Sequence, residues 1–239
     1  MRILLFFLLT LTTTHAAPPP KKILFIGNSY TAQIRQAVTG LIAASPHQDT
    51  QLEFITPGGR TLQQHLHTPK ILERIATGGW DLVVLQDQSQ TPALHPDAFL
   101  KSSAALHAAI TAAKARTVYY ETWGRRDGDT QNAPRFPTYL SMQQALSKSY
   151  RTAANRDQAL LVPVGTAWQT IRTQHPALGH ALYTNDGSHP SSKGALLAAA
   201  CFYRAFFNAS PTTIPIPYIH GLPAKEATLL KKIAAETTP

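Results

Sequence analysis

The chain has 239 residues, of which 44% are hydrophobic and 15% charged, and a formal net charge of +9. That length suits one α/β domain with a sizeable core and is short for two. The composition excludes a disordered chain, and no repeat of fixed period runs through it. The basic residues are scattered, with no lysine or arginine run interleaved with aromatics. A solvated basic surface, suited to anionic surroundings such as an envelope polymer or acidic glycan, is therefore expected, and nucleic acid is not.

The first segment, "MRILLFFLLTLTTTHAA", has one positive charge, an apolar run and a polar end of small residues. This is the pattern of a secretory signal peptide, and residues 1–17 are read as one, with cleavage after Ala16 or Ala17. The apolar run Ile3–Leu11 is too short for a bilayer span, which needs roughly 20 residues. No later segment is long and apolar enough for one, so an exported chain, periplasmic or secreted, without stable membrane insertion is expected. Residues 18–22 form a proline-rich spacer, and 23–239 form a single domain. The single cysteine, Cys201, lies among apolar residues and reads as a packed core thiol.

From residue 22 the chain alternates. "KILFIG" reads as a buried strand, and the next segment has Ile34, Val38, Leu41 and Ile42 at helical spacing. "QLEFITPGG" reads as a second strand, followed by a helix interrupted near Pro69. "WDLVVLQDQ", "RTVYYETW" and "ALLVPVG" read as three further strands, and the segments after the first two are helical. "SSKGALLAAACFYRAFF" is the last long helix expected. Apolar strands alternating with helices indicate right-handed crossovers and a parallel sheet buried on both faces. The expected fold is α/β: a three-layer α/β/α sandwich, flavodoxin-like, with about five parallel strands.

In such sheets function collects at the carboxyl ends of the strands. Ser29 follows the first strand, Gly58 and Gly59 the second, and Gln86, Asp87 and Gln88 the third. Asp186 and His189 lie in "TNDGSHPSS", ahead of the last long helix. An aspartate three residues before a histidine can fold back onto the imidazole, fix its tautomer and leave the other ring nitrogen free to take a serine proton. By itself this pattern equally describes a turn. Ser29, at a strand-to-helix junction, can act as an N-cap or as a nucleophile whose own N–H binds an oxyanion. At Gly59 the backbone can approach a substrate closely, and Gln88 adds a side-chain amide.

Four blocks in this order resemble the SGNH hydrolases, also called GDSL-type esterases. "GNSYT" resembles the first block, with Asn28 in place of the usual aspartate; "GGRT" resembles the second; "LQDQS" occupies the place of the third; "DGSHP" matches the fifth. The resemblance covers nearly all of the chain beyond the signal segment. It implies Ser29 as nucleophile, His189 as general base and Asp186 as its orienting acid. It also implies an oxyanion hole of the Ser29 and Gly59 N–H groups and a block-three amide, Gln88 or alternatively Gln86. Trp123, after the fourth strand, and Gln86 are the candidates for substrate contact.

The implied reaction is hydrolysis of a carboxylic ester, of O-acetyl or another short acyl group, on a small molecule or glycan. No cofactor is expected. His65 and His67 are two apart on a helix, which suits a shared metal poorly, so no metal is expected either. Two other readings remain open: an envelope-glycan O-acyltransferase using the same triad, and a non-catalytic glycan-binding protein using Trp80, Trp123 and Trp168.

Overall fold

A computed structural model describes residues 18–216 and 221–238; the expected signal peptide, residues 1–17, lies outside the described residues. Five strands form one sheet: β1 (Lys22–Ile26), β2 (Gln51–Ile55), β3 (Leu82–Leu85), β4 (Arg116–Tyr120) and β5 (Leu160–Val162). Their order is β2-β1-β3-β4-β5, and every pair is parallel. This is the flavodoxin-like order, in which the chain runs from β1 to β2 on one side and then crosses back past β1 to β3 on the other.

The central strands β1 and β3 are apolar on both faces because both faces are covered. Ile23, Leu24, Phe25 and Ile26 of β1 are all fully buried. Side chains alternate along a strand, so Ile23 and Phe25 enter one core and Leu24 and Ile26 the other. The first core is closed by α1 (Ser29–Ala43), α7 (Val164–Gln174), α9 (Ser192–Phe207) and α10 (Ala224–Glu236). Ile34, Val38, Leu41 and Ile42 of α1 all face it. Phe25 meets Phe202 of α9 edge-on at 5.3 Å. Each such side chain contributes roughly 1.5–3 kcal/mol by leaving water. Cys201 is buried in the same layer, and burial pushes its thiol pKa up.

The opposite face carries α2 (Leu62–Leu66), α3 (Pro69–Thr77), α5 (Pro96–Ala112) and α6 (Tyr139–Asp157), with the short α4 (Thr91–Leu94) beside them. The interruption expected near Pro69 separates α2 from α3, since a proline is well placed at a first helical turn. Two features differ from the sequence reading. The chain turns directly from β5 into α7, with α8 (Pro176–Ala181) after it. A further helix, α10, follows α9: Leu230, Ile233 and Ala234 give it a buried face.

Candidate active site

The carboxyl ends of β1 and β3 are neighbours at the point where the sheet order reverses. Ser29 opens α1 immediately beyond β1, and Gln86–Gln88 follow β3. The loop between α8 and α9 is folded back to the same edge. Within it Thr184 N–H donates to the His189 carbonyl at 2.9 Å, Gly187 N–H to that of Thr184 at 3.1 Å, and Ser191 N–H to that of Leu182 at 2.8 Å. Gly187 has φ +66°, a left-handed turn that glycine adopts without strain.

This closed turn brings three expected residues into one line. His189 Nε2 lies 2.9 Å from Ser29 Oγ, and His189 Nδ1 lies 2.6 Å from Asp186 Oδ2. The other carboxylate oxygen, Oδ1, accepts from Thr184 Oγ1 at 2.8 Å, Ser188 N–H at 2.8 Å and His189 N–H at 2.9 Å. Desolvation raises the Asp186 pKa, but these bonds, the one from His189 foremost, outweigh it and hold the carboxyl well below its usual range. An ionised Asp186 accepts the Nδ1–H of His189, so Nε2 presents a lone pair to the serine hydroxyl.

The histidine loop is propped from below by aromatic rings. Tyr30 stacks on Trp123 with centroids 4.9 Å apart, and Trp123 stacks on Trp168 at 3.9 Å. Trp123 Nε1–H donates to the Ser188 carbonyl at 2.9 Å, and the Tyr30 hydroxyl bonds Ser188 Oγ at 2.6 Å. The Tyr30 edge also meets the His189 ring at 5.2 Å. The contacts of Tyr30, Thr184 and Ser188 went unread in the sequence, although all three stand within two residues of Ser29, Asp186 or His189.

The turn that holds Ser29 is built from buried polar groups. Gln86 Oε1 accepts from Asn28 N–H at 3.0 Å and from Thr31 Oγ1 at 2.8 Å. His65 of α2 donates from Nε2 to the Gly27 carbonyl at 2.8 Å, and burial lowers its pKa. Asn28 is the N-cap of α1, its Oδ1 accepting from Tyr30 N–H at 3.2 Å. Ser29 is thus the first residue inside the helix, and the cap belongs to its neighbour.

Gly59 lies in an exposed turn beyond β2 with φ +68°. Gln88 is partly exposed, and its amide engages the turn it begins. Oε1 accepts from Gln90 N–H at 2.8 Å and Thr91 N–H at 3.2 Å, while Nε2 makes two long contacts, 3.2 Å to Gln90 Oε1 and 3.5 Å to Ser89 Oγ.

Two expectations are corrected. Gln86 is fully buried, with both ends of its amide spent on Asn28, Thr31 and the Asp87 carbonyl, so it shapes the serine turn and does not touch substrate. Trp123 is also fully buried, in the stack under the histidine loop. With Trp80 and Trp168 buried as well, no tryptophan offers a face to a glycan. His65 and His67 are held apart, one on the Gly27 carbonyl and the other on that of Gln63.

A parallel sheet with a serine, a histidine and an aspartate aligned beyond its strand ends defines the class of α/β/α serine hydrolases. No protein-family model and no curated protein matches the chain. Among solved structures, a protein from Slackia heliotrinireducens assigned to the SGNH hydrolases is 30% identical, with a TM-score of 0.66 over 77% of this chain and 97% of that one. A DUF4886 family protein from Bacteroides uniformis is 19% identical, with a TM-score of 0.71 over 90% of this chain and 93% of that one. An acetyl xylan esterase shares the fold at 15% identity and a TM-score of 0.61, over 77% of this chain and 98% of that one. The chain belongs to the SGNH hydrolases.

Proposed function

We propose that this enzyme hydrolyses short acyl esters, O-acetyl groups on a glycan among them, through Ser29, His189 and Asp186. The carrying observation is the line from Asp186 through His189 to Ser29, with its contacts of 2.6 and 2.9 Å. His189 takes the Ser29 proton as Oγ attacks the ester carbonyl, and Asp186 stabilises the imidazolium that forms. The oxyanion is bound by the N–H groups of Ser29 and Gly59. Gln88 Nε2, whose present contacts are long, is the third donor assigned. The proton on His189 then passes to the leaving alcohol, and water, activated by the same imidazole, releases the acid from the acyl-enzyme.

Exposure supports a substrate carried on a polymer. Ser29 is partly exposed, and Pro57 to Arg60 beside it are exposed, so the site opens directly to solvent. The acetyl xylan esterase that shares the fold suggests the glycan class. Residues 1–17 as an export signal would place the enzyme where such polymers are.

The test is a series of p-nitrophenyl esters of increasing chain length, run beside acetylated xylan and acetylated peptidoglycan. The expected result is a preference for acetyl, release of acetate from a polymer, and loss of both with Ser29→Ala in a folded protein. Hydrolysis undiminished in that variant sinks the assignment of Ser29. Transfer of the acyl group to an added sugar, in place of release to water, would favour the acyltransferase.

A further inference from the structure

The turn after β2 stands in open space at Gly59. Gly59 is exposed with φ +68°, and a Cβ placed there would meet no atom within 4 Å. Two side chains from outside the turn grip the Arg60–Thr61 peptide plane, two units on from the one that carries the Gly59 N–H. Asn28 Nδ2–H donates to the Arg60 carbonyl at 3.0 Å. On the other side of the same rigid plane, Thr61 N–H donates to Gln64 Oε1 at 3.0 Å. The Gln64 contact belongs to the capping box that starts α2. The Asn28 contact comes from the serine turn itself.

Asn28 is 2% exposed and is used at every end. Its Oδ1 caps Tyr30 N–H, its N–H goes to Gln86, its carbonyl accepts from Ala32 N–H at 2.9 Å, and its amide nitrogen reaches Arg60. An aspartate would cap α1 as well or better, because a negative charge suits a helix N-terminus. It could not serve Arg60: a carboxylate has no hydrogen to give, and its second oxygen would face a carbonyl. The feature that asparagine alone supplies is therefore the tie to the turn after β2, not the cap.

We propose that Asn28 is a positioning residue for the oxyanion site, acting through the Arg60 carbonyl to hold the Gly59 N–H in register with Ser29. The proposal rests on the reading of Ser29 as nucleophile and Gly59 as donor given above. The departure from the usual aspartate in the first block then has a purpose: it ties the turn beyond β1 to the turn beyond β2 with one neutral hydrogen bond. The two parts of the oxyanion site, beyond the ends of separate strands, move as one.

The test uses Asn28→Asp, which keeps the cap and removes the tie, and Gln64→Ala, which releases the opposite side of the peptide plane at an exposed position. Each is assayed on a short-chain ester and on its thionoester, in which sulfur replaces the carbonyl oxygen. A hole built for oxygen prefers the ester, and a loosened hole loses that preference. Removing an oxyanion donor outright costs about 100- to 1000-fold in kcat. Misplacing one by Asn28→Asp is expected to cost about 10- to 100-fold, with KM within about 3-fold and the ester-to-thionoester ratio down about 10-fold. Gln64→Ala should lower the same ratio by a few-fold, and both variants should keep the wild-type melting temperature within a few degrees.

An unchanged ratio in Asn28→Asp overturns the proposal, as does a loss of activity in both variants that only follows a fall in melting temperature. Labelling by a serine-directed phosphonate separates this from the parent reading. Ser29 labelled with the ratio unchanged removes the positioning role alone. Ser29 unlabelled in the wild type removes the nucleophile, and the positioning role with it.

Discussion

His189 Nδ1 sits 2.6 Å from one oxygen of Asp186, while the other oxygen of that carboxylate takes three donors from its own loop. In Asp186→Asn the amide oxygen is needed by those three donors, so the amide nitrogen turns to the imidazole. An N–H facing Nδ1 forces the proton onto Nε2, and Nε2 then cannot accept from Ser29. The expected result is a fall in kcat of about 1000- to 10,000-fold with the fold intact, because the imidazole is held in the wrong tautomer. Steady-state kinetics beside circular dichroism would check it. A loss under 10-fold would mean that Asp186 does not set the tautomer.

The stack of Tyr30, Trp123 and Trp168 separates support from recognition. Trp123→Phe removes the Nε1–H that serves the Ser188 carbonyl and leaves a gap among buried rings. The expected cost is about 2–4 kcal/mol of stability. Displacement of the histidine loop should also lower kcat about 10-fold. KM for an acetylated glycan should stay within about 2-fold, since the ring is fully buried. Denaturant unfolding and kinetics on the polymer measure the two effects separately. A large rise in KM with stability unchanged would restore Trp123 to the binding surface.

Much of this was legible because it is local. Apolar runs of four or five residues mark strands buried on both faces, and Asp186 and His189 are three apart, so one turn suffices to join them. The remainder depends on packing between distant segments. Whether an amide after β3 faces outward or down depends on Asn28 and Thr31, more than 50 residues earlier, and that is why Gln86 could not be assigned from its neighbours. Trp123 reads as a loop residue until Tyr30 and Trp168 enclose it. The α10 segment carries lysines between its apolar positions, and its buried face is set by contact with α9.

Gly27 tests how tightly the serine turn is packed. A Cβ there would stand 2.6 Å from Gln86 Oε1 and closer still to Thr31 Oγ1, the two groups that bond across the turn. Both are buried, so neither can swing into solvent. Gly27→Ala is expected to cost about 2–3 kcal/mol by overpacking and to abolish most activity, because relief of the clash shifts Ser29. Thermal unfolding and phosphonate labelling of Ser29 read these together. A variant with wild-type stability and labelling rate would show that the turn yields more easily than its contacts indicate.

Asp87 predicts how stability changes with pH. It is buried, its Oδ1 accepts from Leu62 N–H at 3.0 Å and Gln88 N–H at 2.6 Å, and its Oδ2 has no partner among the described residues. Desolvation outweighs the two hydrogen bonds and pushes its pKa up to about 6. In the unfolded chain the same carboxyl ionises near 4, about two units lower. Between these values the unfolded state has lost its proton while the folded state keeps it, so stability falls as pH rises through the window. The stabilising contribution is complete below about pH 4 and gone above about pH 6. Asp87→Asn keeps an acceptor for Leu62 and Gln88 and stays neutral at every pH. Measured against that variant, the wild type should lose about 2–3 kcal/mol between pH 4 and pH 7. Urea unfolding of both proteins across this range gives the difference, with the other titrating groups cancelling. Parallel stability profiles would mean that Asp87 ionises normally in the folded enzyme, through water reaching Oδ2.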